Sequence, residues 1–168
     1  MPAAKVKVID RGLNRIIRQT NKAGRLKIKV GIQGSEGQAV EHEGAGLTNA
    51  QLGVIHEFGT KGVSLGRSGA ETGGIPERSF IRSTFDREAK NWQRLMVRAA
   101  QEIYGPTRPN IRKVLGLVGE KAVADIRQTI NKGIPPELMP ETVERKGSSK
   151  PLIDTGQLKA SITYKVVK

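Results

Sequence analysis

The chain has 168 residues, a formal net charge of +13 and no cysteine. Without thiols there are no disulfides, cysteine nucleophiles or cysteine-based metal sites, which fits assembly in a reducing cytosol. Aromatics are only 4% of residues while glycines number 20, so one aliphatic core carrying long glycine-bearing segments is expected, in a single domain over 1–168.

Residues 1–35 hold nine basic side chains against one acid, Asp10. Such a field suits a polyanion or an acidic protein neighbour, and Arg11, Arg15, Arg18, Lys22 and Arg25 are its candidate contact residues. A solvated basic surface is the plainer alternative. No aromatics are interleaved, which argues against a stacking platform for single strands. Within this region the spacing of Leu13, Ile16, Ile17 and Thr20 predicts a short amphipathic helix over 10–22. Lys27 to Ile32 then alternates polar and apolar residues, the pattern of a half-buried strand.

Glycines 34, 37, 44 and 46 mark an extended loop over 33–47. A helix start follows, with Thr48 as cap, Gln51 bonding back to it and Leu47 packing on Leu52. Leu52, Ile55 and Phe58 form its apolar stripe, which makes Ile55 and Phe58 core residues on the simplest reading, and Gly59 is its stop. A second glycine-rich loop is expected over 60–77. Beyond it Phe85, Ala89, Trp92, Met96, Ala99 and Ile103 repeat at helical spacing and end at Gly105-Pro106. Another long helix is expected from Pro109 to Gly133, with Ile111, Val114, Val118, Ala122, Ile126 and Ile130 on one face. The two stripes are expected to pack on each other and on a small sheet. Glu141 to Lys146 reads as a short helix, Asp154 as the cap of another, and Ser161 to Val167 as a strand that pairs near Val30 or adds to a neighbour's sheet. The fold class is therefore α+β: a small antiparallel sheet against two long helices, with long glycine-rich loops. No apolar run reaches the roughly 18–20 residues that span a bilayer, and the N-terminus has no signal-like stretch, so a soluble intracellular product without a membrane partner is expected.

The enzyme-like motifs fail on their surroundings. Leu152-Ile153-Asp154-Thr155-Gly156 mimics the Asp-Thr-Gly of retroviral-type aspartic proteases, but twelve residues after Gly156 cannot build the sheet those enzymes need. Gly62-Val63-Ser64-Leu65-Gly66-Arg67-Ser68 is one residue short of a phosphate loop, has Arg67 in place of lysine, and follows a helix instead of a strand. His42 and His56 are the only histidines, and neither sits in a ligand cluster. Glu141 and Glu144 share a helical face without an apolar setting that would separate their pKa values. No catalytic, cofactor or metal residue is assigned.

Two stretches resemble a known family. One is Leu52-Gly53-Val54-Ile55-His56-Glu57-Phe58-Gly59-Thr60 with Ile75-Pro76-Glu77-Arg78-Ser79-Phe80-Ile81-Arg82. The other is Arg145-Lys146-Gly147-Ser148-Ser149-Lys150-Pro151-Leu152-Ile153-Asp154-Thr155-Gly156-Gln157-Leu158, leading into Ser161-Ile162-Thr163-Tyr164. Together they resemble the tail-completion or neck proteins of tailed bacteriophages, also described as virion morphogenesis or minor tail components. The family often has Arg-Pro-Phe where this chain has Arg78-Ser79-Phe80, so a different local turn is expected there. The resemblance implies an α+β subunit that forms a ring between head connector and tail, leaves a channel for DNA, and contributes no catalytic residues.

A ring subunit needs a rigid body to fix symmetry and pliable segments to reach its neighbours. The expected subunit contacts are Ile55, His56, Phe58, Gly59, Lys61 and Arg67. Expected partners are further copies of the chain, six by tail symmetry or twelve by that of the connector, and adjacent connector or adaptor and tail-terminator or tail-tube proteins. Transient, non-specific contact with genomic DNA is also expected. The place of action is the virion neck after assembly in the host cytoplasm. A basic nucleic-acid-binding module is the alternative from another class.

Overall fold

The computed structural model describes residues 11–33, 46–61, 74–105, 110–147 and 149–168. Along the chain run α1 (Leu13–Ala23), β1 (Lys27–Ile32), α2 (Asn49–Phe58), α3 (Arg82–Tyr104), α4 (Ile111–Lys132), α5 (Pro140–Lys146), α6 (Gln157–Ala160) and β2 (Ile162–Val167). Helices and a two-stranded antiparallel sheet make the chain α+β. Most of the two glycine-rich segments, 34–45 and 62–73, lies outside the described residues, and Arg67, His42 and the phosphate-loop-like Gly62–Ser68 lie there too.

The alternation in β1 turns Ile28, Val30 and Ile32 to one side, where register sets them opposite Val166, Tyr164 and Ile162 of β2. That apolar side meets α4. Phe80, Val123, Ile126, Ile130, Leu152, Leu158 and Ile162 form the main core cluster, and a smaller one joins Ile111 and Leu115 to Leu26, Ile28 and Val166. All six residues expected on the inner face of α4, from Ile111 to Ile130, are buried. Asp125 and Thr129 are buried as well, because α3 packs on the other side of this helix.

One close approach depends on a missing side chain. The Tyr164 ring lies against α4 at Gly116 and Gly119, and a Cβ on Gly119 would stand 2.6 Å from Tyr164 Cγ. The glycines cost helix propensity, and in return the sheet sits close to the helix axis.

Several expectations are corrected. Of the two long helices α4 carries the main contact with the sheet, and α3 packs chiefly on α4. The buried side of α3 keeps part of the expected stripe, with Ala99 buried and Ala89 and Trp92 half-buried, but is turned at Phe85 and Met96. Thr84 and Ala99 are buried, whereas Phe85 and Met96 are exposed. The cause is a polar seam that fixes the rotation of the helix. Thr84 Oγ1 donates to Thr129 Oγ1 (2.6 Å), Arg87 Nη2 donates to the same oxygen (2.7 Å), and Trp92 Nε1 donates to Asp125 Oδ2 (2.8 Å). Lys121 pairs with the other oxygen of Asp125. The first helix begins at Leu13, after Gly12 at φ 108°, and buries none of its residues. It is held through Ala23 beside the smaller cluster and by bonds from Arg15 to Gly105 O and from Thr20 to Tyr104.

Candidate functional site

The capping box at Thr48 forms as the sequence suggests: the Gln51 amide donates to Thr48 Oγ1 (3.2 Å) and the Thr48 amide to Gln51 Oε1 (2.9 Å). The far end of α2 departs from expectation. Phe58, assigned to the core by its spacing, is 60% exposed, and its neighbour Glu57 is buried instead. The Glu57 carboxylate is the cap of another helix. It accepts from the amides of Phe80 (2.9 Å), Ile81 (3.0 Å) and Arg82 (2.9 Å), from Ser79 Oγ (2.7 Å) and from Arg82 Nε (3.1 Å). No side chain within α3 caps its start, so a carboxylate from α2 satisfies those amides and meets the positive end of the helix dipole. Burial pushes the Glu57 carboxyl up, but the bonds from Ile81, Arg82, Ser79 and Phe80 together hold it below the ordinary 4.5. Ser79 supplies a hydroxyl that a proline in its place would lack.

Around this joint the base of the second glycine-rich segment is tied shut. The Thr60 amide donates to Ile75 O (2.8 Å), the Ile75 amide to Thr60 Oγ1 (3.0 Å), and the Arg78 amide to His56 O (2.7 Å). Gly59, at φ 69°, is where the two segments of the base approach closely, and a Cβ there would stand 2.8 Å from both Ile75 O and the Glu77 amide. Arg78 is buried and donates to Pro136 O (2.9 Å) and Glu137 O (3.3 Å); desolvation lowers its pKa. Of the expected subunit contacts, Ile55 and His56 are half-buried beside this joint, and Phe58 and Lys61 are exposed.

An apolar stripe starts at Phe58 and runs outward along α3. The Arg82 guanidinium lies over the Phe58 ring at 4.5 Å, one turn before Phe85. Phe85 meets Trp92 edge-on with centroids 5.9 Å apart, and Met96 continues the row one turn later. Sequence spacing identified the residues of this row but assigned them to the interior.

The basic residues divide by partner. Arg15 is tied to Gly105 O and Arg11 precedes the helix. Arg18, Lys22 and Arg25 come together at a cleft of about 390 Å³, where Arg112 from the first turn of α4 and Lys168 after β2 join them. Arg112 and Lys168 were not legible as site residues, since each is far along the chain from α1; the packing of Leu26 on Ile111 and Leu115 brings the first there and the pairing of β2 with β1 the second.

In the second family-like stretch, Asp154 is exposed and does not cap α6. The helix starts later than expected, after Gly156 at φ 82°, and Thr155 Oγ1 accepts from the Gln157 amide at 3.4 Å. The stretch is held down by buried Leu152 and Leu158 and by Arg127, which donates to the carbonyls of Lys159, Ala160 and Ile162. Among the described residues no group of three or more His, Asp or Glu could hold a metal ion, and no helix is long and apolar enough to cross a membrane. Compared with family models, curated proteins and solved structures, the chain matches none.

Proposed function

We propose that this chain is a non-enzymatic structural subunit of a tailed-phage particle, assembling into a ring at the head–tail neck. The observation that carries the reading is the apolar stripe of α3. Its residues repeat as a core face does, yet Phe58 is 60%, Phe85 57% and Met96 40% exposed in the isolated chain. Together they present roughly 300 Å² of apolar surface, the size of a patch that marks a contact site. A second copy of the chain is the occupant proposed here. A standard interface takes about 800 Å² per partner, so the stripe anchors a larger contact to which Lys61 and the segment containing Arg67 contribute. The neck assignment comes from the resemblance of the two stretches. Their polar residues support it in kind, because Glu57, Arg78, Ser79 and Arg82 are engaged in fixing joints of the fold.

Six copies are proposed, the symmetry of the tail; twelve is the number if the ring follows the connector. Its neighbours are connector or adaptor proteins on one side and tail-terminator or tail-tube proteins on the other, with DNA passing through the channel. Mass spectrometry and reconstruction of purified particles test the reading: the chain is expected in mature virions, at the neck. A chain absent from mature particles ends the proposal. Replacing Phe85 and Met96 together by glutamate is expected to leave the monomer folded and to yield particles that fail to join heads to tails. Normal joining by that variant removes the stripe from the interface.

A further inference from the structure

The cleft beside α1 has a chemistry that ring assembly through α3 does not use. It opens between α1, the first turn of α4 and the end of β2, with Leu26 in its lining. Arg18, Lys22, Arg25, Arg112 and Lys168 also line it, and among the described residues no acidic side chain does. None of these five cations forms a salt bridge among the described residues. Two guanidiniums are steered by backbone carbonyls: Arg18 Nε donates to Asn14 O (3.2 Å) and Arg112 Nη1 to Val166 O (2.8 Å). Among the described residues the other donors of each fork have no bonded partner.

The sheet extends this surface. Residues of β1 and β2 alternate, so Lys27, Lys29 and Lys165 lie on the face away from α4, and all three are exposed. Lys29 stands directly opposite Lys165 in the register. Like charges so placed repel, and a polyanion laid across the pair would relieve them. β1 starts two residues after Arg25 and β2 ends one residue before Lys168, so cleft and sheet face are continuous. Six residues of strand run for about 20 Å, alongside which a duplex carries about a dozen phosphates on its two strands.

We infer that this surface binds the phosphate backbone of duplex nucleic acid without reading its sequence. Cations match phosphates, and phosphate contacts carry no base information. Among the described residues no aromatic lines the cleft, which disfavours single strands that need a ring to stack on. The inference holds whether or not the ring forms.

The test is fluorescence anisotropy with two unrelated 20-base-pair duplexes across a salt series. Equal affinities are expected, with log K falling against log salt at a slope of about −4 to −7, from roughly five to eight neutralised phosphates. Lys22→Glu with Arg25→Glu should weaken binding at least tenfold at about 100 mM salt and flatten the slope by about two. Lys90→Glu with Lys132→Glu makes the same charge change away from the cleft and should have a much smaller effect. Lys29→Gln with Lys165→Gln should weaken binding while leaving the thermal midpoint unchanged or higher, a result that misfolding cannot mimic. The Phe85→Glu, Met96→Glu variant should bind duplex as the parent does, which keeps this inference separate from the neck reading. Undetectable binding at about 100 mM salt, equal weakening by the control pair, or tighter binding to poly-glutamate or to phosphatidylserine vesicles would each overturn it.

Discussion

Glu57→Gln is the sharpest test of how the first family-like stretch holds together. In the native chain one carboxylate oxygen accepts from the amides of Phe80 and Ile81, and the other from Ser79 Oγ, the Arg82 amide and Arg82 Nε. The amide side chain fits the same space but offers one acceptor and one donor. Whichever way it turns, an NH₂ group faces two or three donors in a buried site. Leaving buried donors unsatisfied costs about 1–3 kcal/mol each, and rearrangement and water recover part of that, so a loss of about 2–4 kcal/mol is expected. Glu57→Ala should lose more, about 3–5 kcal/mol, because the whole acceptor set goes and a buried cavity remains. Denaturant melts followed by circular dichroism read both values. The pH dependence separates charge from packing. Since the folded-state pKa is lowered from 4.5, the carboxylate's stabilisation is fully present above the unfolded value and is lost as pH falls through the folded one. The gap between parent and Glu57→Gln should therefore be widest near pH 7 and narrow below about pH 4. A gap under about 1 kcal/mol at neutral pH, or one that does not change on acidification, would refute the capping argument.

Gly119→Ala should destabilise by about 1–3 kcal/mol despite a helix-propensity gain of about 1 kcal/mol, because the new Cβ meets the body of the Tyr164 ring at 2.6 Å; Gly116→Ala, whose Cβ meets the Tyr164 hydroxyl at 3.1 Å, should cost less in the same thermal melts. Thr48→Ala should cost about 1 kcal/mol, the usual worth of a cap, whereas Asp154→Ala should be close to neutral; equal losses in chemical denaturation would restore Asp154 as a cap. Arg127→Met should loosen the second stretch, since three carbonyls lose their donor, with faster amide exchange expected at Ile162–Tyr164.

What could be read from the residues followed the range of the physics involved. The Thr48 box, the stop at Gly59, the strand at Lys27–Ile32 and the inner face of α4 are local or periodic, and all are present. The joint at Glu57 was not legible. Its partners lie 22 to 25 residues away, and a carboxylate between His56 and Phe58 reads as solvent-facing until the start of α3 is placed against it. Asp154 shows the opposite failure, where a favourable residue type was assigned a cap at a helix that instead starts from Gly156 with no side-chain cap. The basic cleft was half legible: charge density singled out Arg18, Lys22 and Arg25, and only the fold adds Arg112 and Lys168.

The rotation of α3 connects these observations. A helix bearing Phe85, Trp92 and Met96 would bury that row if apolar contact were the only force acting on it. Its hydrogen-bonded seam with α4 and the Glu57 cap at its start hold a different face inward, with Thr84 and Ala99 small enough to let the helices close. Buried polar bonds of this kind specify a single rotation, because any other leaves desolvated groups unpaired. Freed from the seam, α3 would turn Phe85 and Met96 toward the core and the outward stripe would vanish. Exposure of Phe85 and Met96 is thus a consequence of Thr84, Thr129, Asp125 and Glu57. Surface that a fold holds outward by spending buried hydrogen bonds is surface a partner is expected to cover.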